Sequence, residues 1–212
     1  MLRKPTDVRC ACTALLQLTL HCCLLSGGAS RRMGQDKALL PHPAGGCWLD
    51  HALLQLATLQ APITVLSRWP QHHALATALN LPQLQALVEP APWEGPLLAL
   101  HRLMGHLPDQ RLLLCPVDMP ALRGDVLRDL TQAANAEPEV IHLAHDGTRS
   151  QPLLGVYPSN AAMRQSLASA IASGERRLQA WLGQTCCRSV SLDAGAIRNV
   201  NSADELALLP RL

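Results

Sequence analysis

The chain has 212 residues, 48% of them hydrophobic and 16% charged, which suits one α/β domain with its own core and excludes a disordered protein. A net charge of +2 excludes the broad basic face that nucleic-acid binding needs, and aromatics at 2%, with no Phe and one Tyr, leave Leu, Ala and Val to build the core. No run is long and apolar enough to span a membrane.

Residues 1–17 read as a disordered N-terminal extension or the product of an upstream start codon, and residues 18–212 as a single domain. Arg3 and Lys4 ahead of the apolar run Ala14–Leu25 imitate a signal peptide. Gln17 and His21 interrupt that run, no small-residue cleavage site follows, and it leads straight into Gly27-Gly28 as a buried strand would. Apolar residues at helical spacing (Leu49, Leu53, Leu56, Leu59) predict a helix over Trp48–Leu59. Ile63–Leu66 reads as a strand, Gln71–Leu79 as a helix and Leu84–Val88 as a third strand. Pro96 opens a helix running to Leu107, where its missing N–H costs nothing. Arg111–Asp118 is the clearest strand, apolar until Pro116 and Asp118 stop it. A helix over Gly124–Ala136 follows, then strands Val140–Ala144 and Pro152–Tyr157 joined by a turn at Asp146-Gly147. Gly174 ends a helix over Ala161–Ala172. Cys187–Leu192 is the last strand, and Ser202 with Glu205 forms a capping box for a closing helix. Such alternation predicts an α/β fold, with a mostly parallel sheet and helices on both faces.

Eight cysteines are present, but Cys22-Cys23 and Cys186-Cys187 are adjacent, Cys10 and Cys12 are too close for a relaxed bridge, and no Cys-x-x-Cys occurs. They read as small buried residues of a reduced, cytoplasmic protein.

The chemistry concentrates at two strand ends. Leu25-Ser26-Gly27-Gly28 opens a loop of small residues whose backbone N–H groups can approach a ligand closely, and Arg31, Arg32 and Lys37 add positive charge. That suits a polyphosphate. The loop lacks the Gly-Lys-Ser/Thr ending of a P-loop and the G-x-G-x-x-G of a dinucleotide fingerprint. Asp118 ends the other strand, where a lone carboxylate suits Mg²⁺ shared with phosphate oxygens. Ligands of doubly wound sheets sit at the strands' carboxyl ends, so one pocket can hold both motifs. His72-His73, His101 and His106 lack metal spacing and read as surface or helix-face residues. Trp48, Trp69, Trp93 and Trp181 are too scattered in sequence for a stacking platform.

The run Leu25 to Leu40, with its Arg31-Arg32-Met33-Gly34-Gln35-Asp36-Lys37 order, resembles the signature of molybdenum cofactor guanylyltransferases. Gly95-Pro96-Leu97, Cys115-Pro116-Val117-Asp118-Met119-Pro120, Gln151-Pro152-Leu153, Gly174-Glu175-Arg176-Arg177 and Asn199-Val200-Asn201 with Glu205-Leu206 are similar to further family segments, in order over about residues 18–209. The resemblance implies a three-layer, Rossmann-like nucleotidyltransferase fold. It implies GMP transfer from GTP to Mo-molybdopterin with release of pyrophosphate and Mg²⁺ as cofactor. Leu25, Ser26 and Gly27 would hold the nucleotide through the backbone, and Lys37 would pair with phosphate. Asp118 would bind the metal, and Arg32 with Lys37 would stabilise the departing pyrophosphate. Asn201 is either a second metal ligand or an ordinary residue at a helix start; Arg176 and Arg177 either meet an anionic acceptor or are solvated. Partners would be GTP, Mo-molybdopterin and molybdenum-cofactor insertion proteins or molybdoenzymes, with neither nucleic acid nor membrane. Three positions depart from the family pattern: Ala99 stands for a Gly, Glu89 for an Asp, and Leu66 or Ser67 for an Asn. Glu89 and Leu66 or Ser67 leave open a cytidylyltransferase, or another nucleotidyltransferase acting on a phosphorylated small molecule. A non-catalytic molybdenum-cofactor chaperone is the alternative of another class.

Overall fold

Period-two alternation divides β1 (Thr19–Leu25) between two apolar layers, Cys22 and Leu24 facing one and Cys23 the other. In the computed structural model, which describes residues 18–28, 34–201 and 205, β4 (Gln110–Pro116) divides in the same way. Leu113 and Cys115 join the first layer, Leu112 and Leu114 the second. Helices α1 (Trp48–Ala57), α2 (Pro70–Ala78) and α4 (Gly124–Ala133) cover the first face through residues such as Leu53, Ala76 and Leu127. Helices α3 (Pro96–His106), α5 (Ala161–Ala172) and α6 (Leu178–Leu182) cover the second through Leu100, Leu167 and Trp181. Leu97, Leu100 and Leu103 of α3 are fully buried. Each contributes roughly 1.5–3 kcal/mol relative to exposure, so α3 is anchored without a side-chain cap.

The sheet has seven strands in the order β3-β2-β1-β4-β6-β5-β7, adding β2 (Ile63–Ser67), β3 (Leu84–Val88), β5 (Ile141–His145), β6 (Ser150–Pro158) and β7 (Cys187–Ser191). Every pairing is parallel except those of β6, which runs antiparallel to β4 and β5. The chain steps outward from β1 through β2 to β3, then returns to β1's other side as β4. That reversal opens a crevice between the carboxyl ends of β1 and β4. The crevice walls are in register: Leu25 pairs with Pro116, and the Val117 N–H donates to the Leu25 carbonyl at 3.2 Å.

The α/β architecture and the mostly parallel sheet agree with the sequence reading. The predicted turn at Asp146-Gly147 is present: Asp146 Oδ1 accepts from the backbone of Thr148 and Arg149, and Gly147 takes φ 92°. Two short elements had no sequence signal, the 3-10 turn Lys37–Leu39 and α6. Neither is long enough to display a period. β4 stops at Pro116, so Asp118 lies in the turn beyond the strand. The six described cysteines are free. Cys22, Cys23 and Cys115 are buried, and burial pushes the Cys22 thiol up to about 12; Cys186 is exposed. The proposed extension 1–17, the basic residues Arg31 and Arg32, and Ser202 of the expected capping box lie outside the described residues. Glu205 is described, and its carboxylate accepts from the Asn201 backbone N–H.

Candidate active site

Asp36 starts the 3-10 turn that carries Lys37. Its extended backbone and its Oδ1, which accepts from Ala38 N at 3.0 Å, make it an N-cap. Ala38 is fully buried, which pins the turn and leaves Lys37 projecting toward the end of β4. There the Lys37 Nζ lies 3.4 Å from Asp118 Oδ2 and donates to Asn201 Oδ1 at 2.7 Å. Asp118 is held in turn by its carbonyl, which accepts from Val200 N at 2.9 Å. Three residues far apart in sequence therefore meet at one point: Lys37, Asp118 and Asn201.

Asp118 sits in tension. Burial pushes its carboxyl above the usual carboxylate range, and the charge and hydrogen bond of Lys37 pull it back. Its Oδ1 is buried with no hydrogen-bond partner among the described residues. A buried, orphaned carboxylate oxygen beside a cleft fits a divalent cation, which would supply the missing positive charge. Among the described residues no cluster of three or more His, Cys, Asp and Glu could hold a metal alone. A cation at Asp118 would complete its shell with phosphate oxygens and water, as Mg²⁺ commonly does.

Leu25, Ser26 and Gly27 line the same cleft, a cavity of about 510 Å³ that also reaches Lys37 and Asp118. Ser26 N donates to the Leu66 carbonyl at 3.1 Å, which continues the β1–β2 pairing past the strand. A Cβ at Gly27 would lie 2.3 Å from Glu89 Oε2, so a side chain there would displace that carboxylate. The Glu89 carboxylate thus lies directly over the glycine loop. Ala99, where the family pattern carries Gly, also lines the cavity. Leu153 of the Gln151-Pro152-Leu153 segment forms its far side. Gln151 Oε1 accepts from Asn199 Nδ2 at 2.9 Å, tying that segment to the one bearing Asn201. Arg176 lies outside this assembly, paired with Glu94 at 2.7 Å, and Arg177 is exposed. Arg32 falls outside the described residues.

Two readings of the sequence need correction. His72 is not a surface residue but fully buried. Its Nε2 donates to Asp36 Oδ2 at 2.8 Å, while Nδ1 lies 2.9 Å from Ser67 Oγ and 3.2 Å from Ser26 Oγ. One imidazole therefore links the β1 loop, the end of β2 and the cap of the turn bearing Lys37. Pro70 at the first turn fixes where α2 begins, which aims His72 inward. The second correction concerns tryptophan. Trp69 and Trp93, 24 positions apart in the chain, flank one side chain: the Arg68 guanidinium lies 4.7 Å from one ring centre and 4.6 Å from the other. Spacing in sequence concealed this because Trp69 follows β2 and Trp93 follows β3, and those strands are neighbours. Asp36, His72 and Arg68 were all missed; the only hint was the polar run around the ends of β1 and β2.

The sequence and the fold are similar to those of known proteins. Residues 22–189 match the family described as MobA-like NTP transferase domain. A Rhodopirellula baltica protein named probable molybdenum cofactor guanylyltransferase is 35% identical over 188 residues, covering 86% of this chain and 88% of its own. Among solved structures, molybdopterin-guanine dinucleotide biosynthesis protein A of Archaeoglobus fulgidus has a similar fold, with TM-score 0.69 and 17% identity over 88% of this chain and 95% of that one. A Mycobacterium tuberculosis protein solved in complex with manganese is similar at TM-score 0.67 and 15% identity, covering 91% of this chain and 97% of its own.

Proposed function

This chain belongs to the MobA-like NTP transferase family, and from that premise we propose that it is a molybdenum cofactor guanylyltransferase, transferring GMP from GTP to Mo-molybdopterin. The observation that carries this reading is the meeting of Lys37, Asp118 and the Leu25-Ser26-Gly27 loop in one cleft at the switch point of the sheet. The name borne by the Rhodopirellula relative supports the choice of acceptor.

The backbone of Leu25, Ser26 and Gly27 holds the nucleotide, with Gly27 admitting it closely because no side chain intervenes. Lys37 places its ammonium on the phosphates. An oxygen of the acceptor's terminal phosphate bonds to the α-phosphorus of GTP as the bond from that phosphorus to the β-bridging oxygen breaks, and pyrophosphate leaves with the electron pair. Lys37 meets the growing negative charge on the leaving group, and Arg32, five residues earlier in the sequence, adds to it. Asp118, with Asn201 as a companion ligand, would hold Mg²⁺, and the metal would supply charge neutralisation to the triphosphate. The structure of the M. tuberculosis protein with manganese supports a divalent cation of this kind. No residue need become covalently attached to substrate. The unit that does this is residues 18–212, acting in the cytoplasm, where a reducing milieu suits the free thiols. Its product would pass to molybdenum-cofactor insertion proteins or molybdoenzymes.

The test is pyrophosphate release with Mo-loaded molybdopterin as acceptor. Lys37→Ala and Asp118→Ala should each lose on the order of 10²–10³ in rate. Near-normal turnover in both would overturn the residue assignment. Faster release from CTP than from GTP would overturn guanylyl transfer. No release with any nucleotide would leave a non-catalytic role.

A further inference from the structure

Two imidazoles that do not line the cleft lie face to face. His42, in the connection from the Lys37 turn to α1, and His51, on α1, stack with ring centres 3.8 Å apart and planes 12° from parallel. Each ring points a nitrogen at the segment that follows Asp118. His42 Nε2 lies 2.9 Å from the Pro120 carbonyl oxygen, and His51 Nε2 lies 3.0 Å from that of Leu122. A carbonyl only accepts, so each Nε2 carries a proton and donates it. His42 Nδ1 accepts from Ala44 N at 3.1 Å, and a backbone N–H only donates, so that nitrogen carries none. The partners therefore fix His42, which is 5% exposed, as the neutral Nε2–H tautomer.

That tautomer joins two backbones 78 positions apart. On one side, His42 closes a tight hairpin. Its N–H donates to the Gly46 carbonyl at 2.9 Å, its carbonyl accepts from Gly45 N at 2.9 Å, and Pro41 pairs with Cys47. Only the buried Leu40 separates this hairpin from the turn carrying Lys37. On the other side, Pro120 follows Asp118 by two residues. The approach of Lys37 to Asp118 at 3.4 Å thus has a second tie, made by His42.

A proton added to either ring works against that tie. On His42 the vacant position is Nδ1, where a proton would meet the Ala44 N–H and open the hairpin. On His51 burial pushes the imidazole below the ordinary histidine range, the Leu122 carbonyl raises it, and charge on the stacked His42 lowers it again. A base of this kind binds more protons unfolded than folded. Its contribution is whole above the ordinary histidine range and declines as the pH falls through it. Charged groups on the surrounding elements are engaged with other partners. Asp50 of α1 accepts from Cys47 N, His72 and His73 of α2 bond Asp36 and the Ser67 carbonyl, and Lys37 faces Asp118. Arg123 pairs with Asp125 and Asp193, and Arg128 of α4 donates to Thr58. Burial holds the Cys47 thiol above its ordinary range.

We propose that His42 and His51 are positioning residues, a proton-sensitive latch that holds Lys37 against Asp118 while both rings are neutral and lets them part when either is protonated. Its effect on nucleotide binding rests on the guanylyltransferase reading above; the latch itself does not.

The experiment is calorimetric binding of GTP in Mg²⁺ at about pH 7.5 and about pH 5.5, either side of the ordinary histidine range. It compares the full chain with the double variant His42→Gln/His51→Gln, with circular dichroism to establish folding. NMR titration of ligand-free wild type follows the two rings and the Ala44 amide. Glutamine keeps a donor for each carbonyl and does not titrate, so the variant carries the pH dependence of GTP, the metal and the other histidines. The two proteins should bind alike at the higher pH. On acidification wild type should lose on the order of 10-fold more affinity than the variant, the factor that one pKa unit of coupling gives. The Ala44 amide should shift as His42 titrates. If both proteins lose affinity in parallel, the pair only packs and the inference falls while the nucleotide site stands. If His42 is already charged at the higher pH, the inference falls whether or not the variant folds. If wild type binds no GTP at either pH, the guanylyltransferase reading falls, and the Ala44 amide alone decides the latch.

Discussion

At the scale of single residues, the site depends on groups that bond to one another before they meet any substrate. His72 touches no solvent, yet it joins Asp36 to Ser26 and Ser67. Its removal takes the His72 hydrogen bonds from Asp36 Oδ2 and Ser26 Oγ, while Ser67 Oγ keeps the Trp69 N–H. An unsatisfied buried polar group costs about 1–3 kcal/mol, so His72→Ala should lower stability by at least that amount in denaturant unfolding. Because Asp36 caps the turn that presents Lys37, the same variant should also weaken GTP binding. Stability lost with GTP affinity unchanged would show that His72 only packs. That Lys37 and Asp118 could share one pocket was legible in the sequence, because each follows the carboxyl end of a strand of the same sheet. His72 and Arg68 were not, because what distinguishes them is who stands beside them after folding. A histidine at the start of a helix has the same local sequence whether it faces water or three polar partners.

At the scale of elements, the long strands and helices announced themselves through period and punctuation. The predicted β6 began at Pro152, whereas the observed strand starts at Ser150 and runs to Pro158. The reason lies in its neighbours: Ser150 and Gln151 pair with His145 and Ala144, beyond a register shift at Leu143/Ala144 that local sequence does not encode. Gly155 lies beside that shift. A Cβ there would stand 2.7 Å from the His142 backbone oxygen and 2.9 Å from the Leu143 side chain. Gly155→Ala should therefore destabilise the protein by about 1–3 kcal/mol, as overpacking of a core does, read from the urea midpoint. Because Gly155 lies well inside the sheet, its effect on nucleotide affinity should be smaller than that of His72→Ala; the reverse order would mean that β6 controls the cleft.

At the scale of the whole molecule, one cluster of contacts joins segments from far apart in the chain. Asp118 lies 81 positions beyond Lys37, and Asn201 lies 164 beyond it. GTP with Mg²⁺ at about 100 times its Kd should stabilise the native state by about 2.7 kcal/mol. For a domain of this size that is a rise in Tm of roughly 5–10 °C. Chelation of the metal should remove most of the rise, and differential scanning fluorimetry reads both; an equal rise with and without Mg²⁺ would rule out a metal on Asp118. The fold class was readable from alternation alone, but the strand order was not, because nothing local tells β4 to pair with β1 instead of β3. That return has a consequence for the chain as it is synthesised. The ribosome releases the glycine loop early, the β4 end mid-way and Asn201 near the finish. β1 pairs first with β2 and must wait for its second partner, about 90 residues downstream, a pairing of the kind that slows folding. A nascent or truncated chain lacking Asn201 carries the loop and Asp118 without the side chain that closes their contact with Lys37. Nucleotide retention would then report on the completed polypeptide, and GTP in the cell would favour finished molecules over partial ones.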